Sequence, residues 1–406
     1  MGRPVLPLRD RAALKSEWLT TRLDTVVPKI MRDAGVDCWV LIAREYNDDP
    51  ALKTMLPATW ETARRRTILV FTEFGETRVS ISRYDLDTLF AGVWDPSTQP
   101  DQWQCLADHL AEQPPRRIAI NRSETFPLAD GLSSSEAARL LAALPPSLCN
   151  RLEPSDALAV GWLETRIAPE IAAFPDVCAR AHGILRDALS ATVITPGATT
   201  TQDVEWWLRE EARFCGYQTW FHPTVSLQRS GGDADDVIRH GDLVHIDFGI
   251  EYLTLHTDQQ QHGYVLLPDE TAPPPGLRTA LEVGNRLQDI VMAQFRTGVT
   301  GNAILRSAHR IAEEEGIAAT IYSHPIGLHG HGAGPTIGLW DNQRGVAGTG
   351  DYPVRPDTAY SIELAVEVSV PEWDDQPVHI MLEEDAFFDG NVFELLDGRQ
   401  TELWTV

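Results

Sequence analysis

Two aspartates, Asp247 and Asp258, are candidate metal ligands because each lies on a short apolar run within the stretch 244–265. Their separation of 11 residues is odd, so in an antiparallel hairpin they can lie opposite one another on one face of a sheet. Two buried carboxylates at that distance repel each other unless they are protonated or bind a cation. Taken alone, the pair fits a metal site and a turn with one solvated aspartate equally well.

Three histidines lie close together in the Gly-rich segment 323–338, namely His324, His329 and His331. The whole chain has 12 histidines, so this density favours a metal-binding or catalytic loop. The glycines do not predict a phosphate-binding loop, because no Gly-Lys-Ser/Thr sequence follows them. His329 and His331 could also form an H-x-H metal pair, so the choice of ligand stays open at this point.

Acidic residues interrupt two further apolar runs. Glu363 lies within such a run, where an unpaired charge is costly to bury, and Glu367 is its competitor four residues later. The next run contains three consecutive acids, Glu383, Glu384 and Asp385. Because side chains alternate along a strand, only one or two of these three acids can point to a common site.

In chain order, these segments resemble the pita-bread metallopeptidases, which include methionine aminopeptidase, aminopeptidase P, prolidase and their creatinase relatives. That family holds two metal ions with Asp, Asp, His, Glu and Glu in that order. Its motifs are matched by Asp247-Phe248-Gly249, Asp258, His324-Pro325-Ile326-Gly327-Leu328 with His331, Ser361-Ile362-Glu363 and Glu384-Asp385. The resemblance therefore implies the metal ligands Asp247, Asp258, His324, Glu363 and Glu384.

The resemblance also implies an activity, the hydrolysis of X–Pro bonds in short proline-containing peptides. Four carboxylates and one imidazole suit two divalent ions, with Mn²⁺ expected and Co²⁺ or Zn²⁺ as alternatives. A hydroxide bridging the two ions would attack the scissile carbonyl, and Glu363 would accept its proton. His331 would donate to the oxyanion or the scissile amide. Ser230 stands near the usual place of a substrate-side histidine, so His222 is the nearest catalytic candidate for that role.

Several positions depart from the family pattern. Leu364-Ala365 replaces Pro-Gly after the glutamate, Leu382 replaces an arginine, and Gln259–Gln261 replaces a Thr-Arg pair. These changes bear on the substrate more than on the metal ions. The alternatives are a creatinase-like amidinohydrolase without metal, a divergent dimetal hydrolase of another amide, and a non-catalytic binding module.

The chain has 406 residues, which is too long for one ordinary core. Residues 1–158 alternate helical and extended patterns and are similar to the creatinase-type N-terminal domain, which is an α/β fold. Residues 159–406 carry helices and strands in pairs, and the expected fold class is α+β with a pita-bread catalytic domain. Ser133 with Glu136, and Thr200 with the residues after it, predict helix N-termini with capping side chains.

The composition disfavours several partners. A net charge of −25 argues against nucleic acid and anionic membranes, and no apolar run predicts a membrane span. The five scattered cysteines form no C-x-x-C pair, which favours a reducing cytoplasm. The resemblance implies a homodimer in which a loop of the N-terminal domain reaches the neighbour's site, with Tyr46–Asp49 or Trp60–Arg66 as candidates.

Overall fold

The structure, a computed structural model, describes residues 5–232 and 235–406. It contains two compact units, Leu6–Ile167 and Ala168–Val406. The boundary predicted after residue 158 falls inside a helix, Asp156–Glu164, that belongs to the N-terminal unit. Arg22 of the first helix fixes this segment by donating a 2.7 Å hydrogen bond to the carbonyl of Thr165, and its guanidinium lies over the Trp162 ring.

The N-terminal unit is an α/β fold, as expected from its alternating patterns. Its elements are α1 (Leu8–Ala34), β1 (Cys38–Arg44), α2 (Pro50–Lys53), β2 (Arg66–Thr72), β3 (Thr77–Ile81), β4 (Ala91–Gly92), α3 (Gln102–Glu112), β5 (Ile118–Ile120), α4 (Ser134–Ala143), α5 (Pro146–Cys149), β6 (Leu152–Pro154) and α6 (Asp156–Glu164). The strands form one mixed sheet in the order β4-β3-β2-β1-β5-β6, with β1 buried at its centre.

One local prediction in this unit is wrong. Ser133 Oγ accepts no capping hydrogen bond from a backbone N–H of α4, so the predicted capping box does not form. Glu136 is buried and binds Arg66 instead, with Oε2 2.6 Å from Nε. A buried carboxylate gains more from a charged partner than from a backbone N–H at an exposed helix end.

The C-terminal unit contains long helices and one extended, largely antiparallel sheet. Its elements are α7 (Ala168–Ala188), α8 (Thr201–Phe214), β7 (Thr224–Gln228), β8 (Leu243–Phe248), β9 (Glu251–Tyr252), β10 (Leu255–His256), β11 (Gln259–Tyr264), α9 (Pro275–Met292), α10 (Gly301–Glu314), β12 (Ala318–Ile321), β13 (His324–Ile326), β14 (Thr358–Val370), β15 (Gln376–Phe388), β16 (Phe393–Leu395) and β17 (Trp404–Thr405). The main path of the sheet is β12-β14-β15-β11-β8-β7, and β13 also pairs with β14. Thr200 and Asp203 form the capping box of α8, which confirms the prediction there.

Helices α9 and α10 pack on one face of this sheet. Their apolar side chains share a core with Ile362, Leu364 and Leu382. Gly284 of α9 allows close packing, since a Cβ at that position would lie 2.8 Å from Leu382 Cδ1. Because strand side chains alternate, the residues between these apolar positions face the opposite side of the sheet.

The helices within residues 5–232 and 235–406 include none that combines the length and the apolar character of a membrane span.

Candidate metal centre

Four residues stand in one row across four strands of the C-terminal sheet. Asp247 of β8 pairs with Gln260 of β11, Gln260 pairs with Glu383 of β15, and Glu383 pairs with Glu363 of β14. Residues directly opposite each other share a face of the sheet. Three carboxylates therefore share the face turned away from α9 and α10, with the Gln260 amide between Asp247 and Glu383.

Asp258 lies next to this row, but the strand register that places it there differs from the predicted one. The expected antiparallel hairpin forms, but Asp247 lies opposite Gln260, and Asp258 directly precedes the strand. Asp258 is two residues from Gln260, so the two aspartates still share a face, in diagonal positions. Asp258 is buried, with 4% of its surface exposed.

His324 completes the group at the start of β13, where the proline after it favours an extended backbone. Its Nε2 lies 3.4 Å from Glu383 Oε1, 3.6 Å from Asp258 Oδ2 and 3.9 Å from Glu363 Oε2. We use the term carboxylate cluster for five residues: Asp247, Asp258, His324, Glu363 and Glu383.

Glu384, which was predicted as the fifth ligand, lies on the wrong face of the sheet. Its Oε1 accepts hydrogen bonds from Gln261 Nε2 at 2.8 Å and from the Gln400 backbone at 3.1 Å, and its Oε2 lies 2.9 Å from His182 Nε2. The acid that faces the cluster is its neighbour, Glu383. The correction follows from strand alternation, because a shift of one residue moves a side chain to the other face.

The electrostatics of the cluster favour the binding of cations. Burial, and next the Glu383 carboxylate, raise the pKa of Asp247, Asp258 and Glu363 well above the ordinary range. For His324, burial opposes the charged form, but the nearby carboxylates outweigh it and raise the pKa to about 9. One imidazolium cannot balance four carboxylates in this small volume.

Unpaired atoms support the same conclusion. The buried side-chain atoms that have no hydrogen-bond partner among the described residues include Asp247 Oδ1, Asp258 Oδ1 and His324 Nε2. Burying such atoms unpaired is costly unless a ligand satisfies them. All three belong to the carboxylate cluster, so the residues present fit bound cations.

The ligand atoms form overlapping groups of three, each with its atoms within 4.8 Å of one another. One group is Asp247, Asp258 and Glu383, and a second is His324, Glu363 and Glu383. Glu383 belongs to both groups, so two cations held there would share it. Oxygen and imidazole ligands of this kind suit borderline or hard divalent ions.

His331 lies beside the cluster, in a third group with Asp258 and His324. Its ring centroid is 4.7 Å from that of His324 and 5.2 Å from that of Trp220. Burial, followed by the positive charge on His324, lowers the pKa of His331, which favours a neutral imidazole. His331 is therefore close enough to contact a substrate bound at the cluster.

The structure does not bring the other predicted candidates into the cluster. His222 is exposed and lies against α8, with Nε2 3.6 Å from Glu205 Oε2 and its ring 5.3 Å from that of Trp206. His329 lies in none of the three groups, and its ring stacks on that of His256 at 6.4 Å. Glu367 is exposed and pairs with His379.

Sequence reasoning considered Glu383 but did not choose it, and it missed the role of Gln260. The sequence carried no signal that separated Glu383 from Glu384, because the face on which each lies depends on the register that pairs Glu383 with Glu363. Nothing in the sequence distinguished Gln260, because an uncharged amide can be buried in a strand at little cost in free energy when its hydrogen bonds are made.

Part of this chain matches a known protein family. Residues 176–388, which make up more than half of the chain, match Metallopeptidase family M24. A comparison with curated protein sequences gave no match.

Solved structures share the fold of most of the chain. An X-Pro aminopeptidase from Thermotoga maritima superposes with a TM-score of 0.67 at 19% identity and covers 93% of this chain and 100% of its own. A Xaa-Pro dipeptidase from Bacillus anthracis gives a TM-score of 0.67 at 18% identity, with 97% of this chain and 100% of its own covered.

The N-terminal domain of a FACT complex subunit from chickpea (Cicer arietinum) also matches, with a TM-score of 0.59 at 13% identity and coverage of 95% and 98%. The name of this third protein describes no peptidase. Similarity at these identities therefore shows the fold alone, and the function depends on the residues of the site.

Proposed function

Because the chain belongs to Metallopeptidase family M24, we propose that it hydrolyses the bond between an N-terminal residue and a following proline, with two divalent cations held by the carboxylate cluster. One observation carries the proposal. The buried ligand atoms Asp247 Oδ1, Asp258 Oδ1 and His324 Nε2 have no hydrogen-bond partner among the described residues. The Xaa-Pro enzymes of similar fold supply the substrate class.

The cluster would hold the cations in two neighbouring sets that share Glu383. Asp247 and Asp258 complete one set, and His324 and Glu363 complete the other. When bound, the two cations would neutralise the carboxylates, lower the pKa of a water molecule and polarise the scissile carbonyl. Mn²⁺ is the proposed metal, with Co²⁺ and Zn²⁺ as alternatives.

The chain's own residues would handle the protons. Glu363, whose Oε2 lies 3.9 Å from His324 Nε2 in the second set, would accept a proton from the attacking water. The accepted proton would pass to the proline nitrogen as the C–N bond breaks, so water adds across the bond and no other reactant is needed. His331 would donate a hydrogen bond to the carbonyl oxygen as negative charge develops on it.

The substrate is tested by a panel of X–Pro dipeptides and X–Pro–Y peptides with added Mn²⁺. Cleavage of dipeptides alone identifies a dipeptidase, and cleavage of the longer peptides identifies an aminopeptidase. A Glu383→Gln variant and a chelated sample serve as controls, and both should be inactive. Full activity after chelation would contradict the proposal and favour the creatinase-like alternative, which needs no metal.

The choice among the histidines has its own test. A His324→Ala variant should lose metal binding, whereas His329→Ala should keep it. The reverse result would favour the H-x-H pair formed by His329 and His331.

We also propose that the protein acts as a homodimer in the cytoplasm. The two candidate loops are joined to each other, since Thr62 Oγ donates a 2.7 Å hydrogen bond to Asp48 Oδ2 and accepts one from the Tyr46 backbone at 3.1 Å. Tyr46 is 87% exposed, so it is the part of these loops that is free to contact a partner. Sedimentation showing only monomer would contradict the dimer.

A further inference from the structure

Gln260 makes two hydrogen bonds to the carboxylate cluster. Its Nε2 donates to Glu363 Oε1 at 2.6 Å and to Glu383 Oε2 at 2.8 Å. The two acceptors lie on different strands, and the side chain that joins them is only 3% exposed. A primary amide has two N–H groups, so both of its donors are used here.

A histidine fixes the orientation of this amide. His245 Nε2 lies 2.8 Å from Gln260 Oε1, and His245 Nδ1 lies 3.2 Å from Ser226 Oγ. If the amide were reversed, its oxygen would face two carboxylates, so His245 must carry its proton on Nε2. Each group therefore donates a hydrogen bond to the next one, in the order Ser226, His245, Gln260 and the two carboxylates.

The oxygens that Gln260 leaves free are those that face His324. Glu363 Oε2 lies 3.9 Å and Glu383 Oε1 lies 3.4 Å from His324 Nε2. Ser361 Oγ adds a 2.7 Å hydrogen bond to Glu383 Oε1, which still has a second lone pair for a cation. The amide thus selects which oxygen of each glutamate is presented to the metal centre.

We propose that Gln260, oriented by His245, is a positioning residue that holds Glu363 and Glu383 in the geometry required for binding divalent cations. The inference rests on the proposed function, because it assumes that the cluster holds cations. Gln260 is not itself a proposed ligand. Its one side chain binds both the glutamate of the second cation set and the carboxylate that the two sets share. The amide also places an uncharged group between Asp247 and Glu383 in the row of acids.

The chain offers a matched control on the same strand. Gln261 is 1% exposed, and its Nε2 donates a 2.8 Å hydrogen bond to Glu384 Oε1. Both side chains lie on the face of the sheet on which α9 and α10 pack, which we call the helix-covered face. Gln260→Met and Gln261→Met therefore remove the same group from the same strand at the same burial. Only the first of them removes a hydrogen bond to the carboxylate cluster.

The experiment measures Mn²⁺ binding to the full chain by isothermal titration calorimetry, together with thermal unfolding of the metal-free protein. Gln260→Met should weaken Mn²⁺ binding by roughly 10- to 100-fold, as loss of an outer partner does at metal sites. Gln261→Met should change Mn²⁺ affinity by less than about 3-fold, even if both variants lower the melting temperature. Equal losses of affinity in the two variants would overturn the inference, since they would reflect a general weakening of the strand.

Variants of His245 provide a second route if Gln260→Met does not fold. His245→Phe removes the donor to Gln260 and should weaken Mn²⁺ binding, whereas His245→Gln keeps an N–H donor and should restore part of the affinity. Equal affinity in these two variants would overturn the inference. Wild-type protein that binds none of Mn²⁺, Co²⁺ and Zn²⁺ would overturn both the proposed function and this inference, whereas wild-type binding that Gln260→Met leaves unchanged overturns the inference alone.

Discussion

The two faces of the C-terminal sheet both bury carboxylates beside a histidine, and they differ in how those charges are paired. On the helix-covered face, His182 lies between Glu384 and Asp397, with both ring nitrogens within 2.9 Å of a carboxylate oxygen. Gln261 and the Gln400 backbone donate further hydrogen bonds to Glu384. This buried carboxylate is therefore satisfied by protein groups alone.

On the opposite face, the carboxylate cluster has one histidine for four acids and leaves ligand atoms unpaired among the described residues. The residue types are the same, and Glu383 and Glu384 are adjacent in the chain. The difference shows that a buried acid indicates a ligand site only when the protein does not supply its partners. Four predictions test this comparison.

The largest difference should appear between Glu383→Gln and Glu384→Gln. Glu383→Gln removes the carboxylate that both cation sets share, so kcat/KM should fall on the order of 10³-fold, equivalent to about 4 kcal/mol. Glu384→Gln should keep bound Mn²⁺ and most of the activity. The measurements are peptide hydrolysis and metal content of the purified variants, and loss of metal in Glu384→Gln alone would restore the original ligand assignment.

The helix-covered face should contribute to stability. His182→Gln removes the charged partner of the buried Glu384, so the free energy of unfolding should fall by roughly 3–5 kcal/mol. Burial opposes the charge on His182, but its bonds to Asp397 and Glu384 outweigh burial and raise the pKa to about 10, from an ordinary value of 6.5. The stabilisation is therefore fully present below pH 6.5 and is lost as the pH rises through about 10.

Urea unfolding of wild type and His182→Gln at pH 6, 8 and 10 measures this effect. The difference between the two proteins should shrink with rising pH. A difference that stays constant would show that packing, rather than charge, accounts for the loss.

Metal binding should stabilise the protein only through the carboxylate cluster. At 100 times its dissociation constant, Mn²⁺ should stabilise the folded state by about 2.7 kcal/mol. The melting temperature should rise by roughly 5 °C or more, as followed by differential scanning fluorimetry. Glu384→Gln should keep this shift and Glu383→Gln should lose it, and a shift that survives in Glu383→Gln would place the metal elsewhere.

The smallest effect is expected for His222→Ala. His222 is exposed beside Glu205 and Arg209, where surface charge pairs contribute little. Its removal should change kcat/KM by less than about 2-fold in the peptide assay. A fall of 10-fold or more would give His222 the substrate-side role that its position in the sequence suggested.

Much of the fold could be predicted from local patterns. The apolar run that contains Glu363 is β14 (Thr358–Val370), and the capping signal at Thr200 precedes α8 (Thr201–Phe214). Such elements follow from periodicity and from helix start signals, which are properties of neighbouring residues. The Ser133 capping box failed because Arg66, 70 residues away from Glu136, competes for the same carboxylate.

The sequence by itself determined the chemical types at the site and their order in the chain. Asp247, Asp258, His324 and Glu363 stand within or beside apolar runs, where a charge needs a partner, and that cost can be read locally. Only the tertiary structure decided between Glu383 and Glu384. Their choice depends on the register that pairs Glu383 with both Glu363 and Gln260, and adjacent residues of a strand face opposite sides of the sheet.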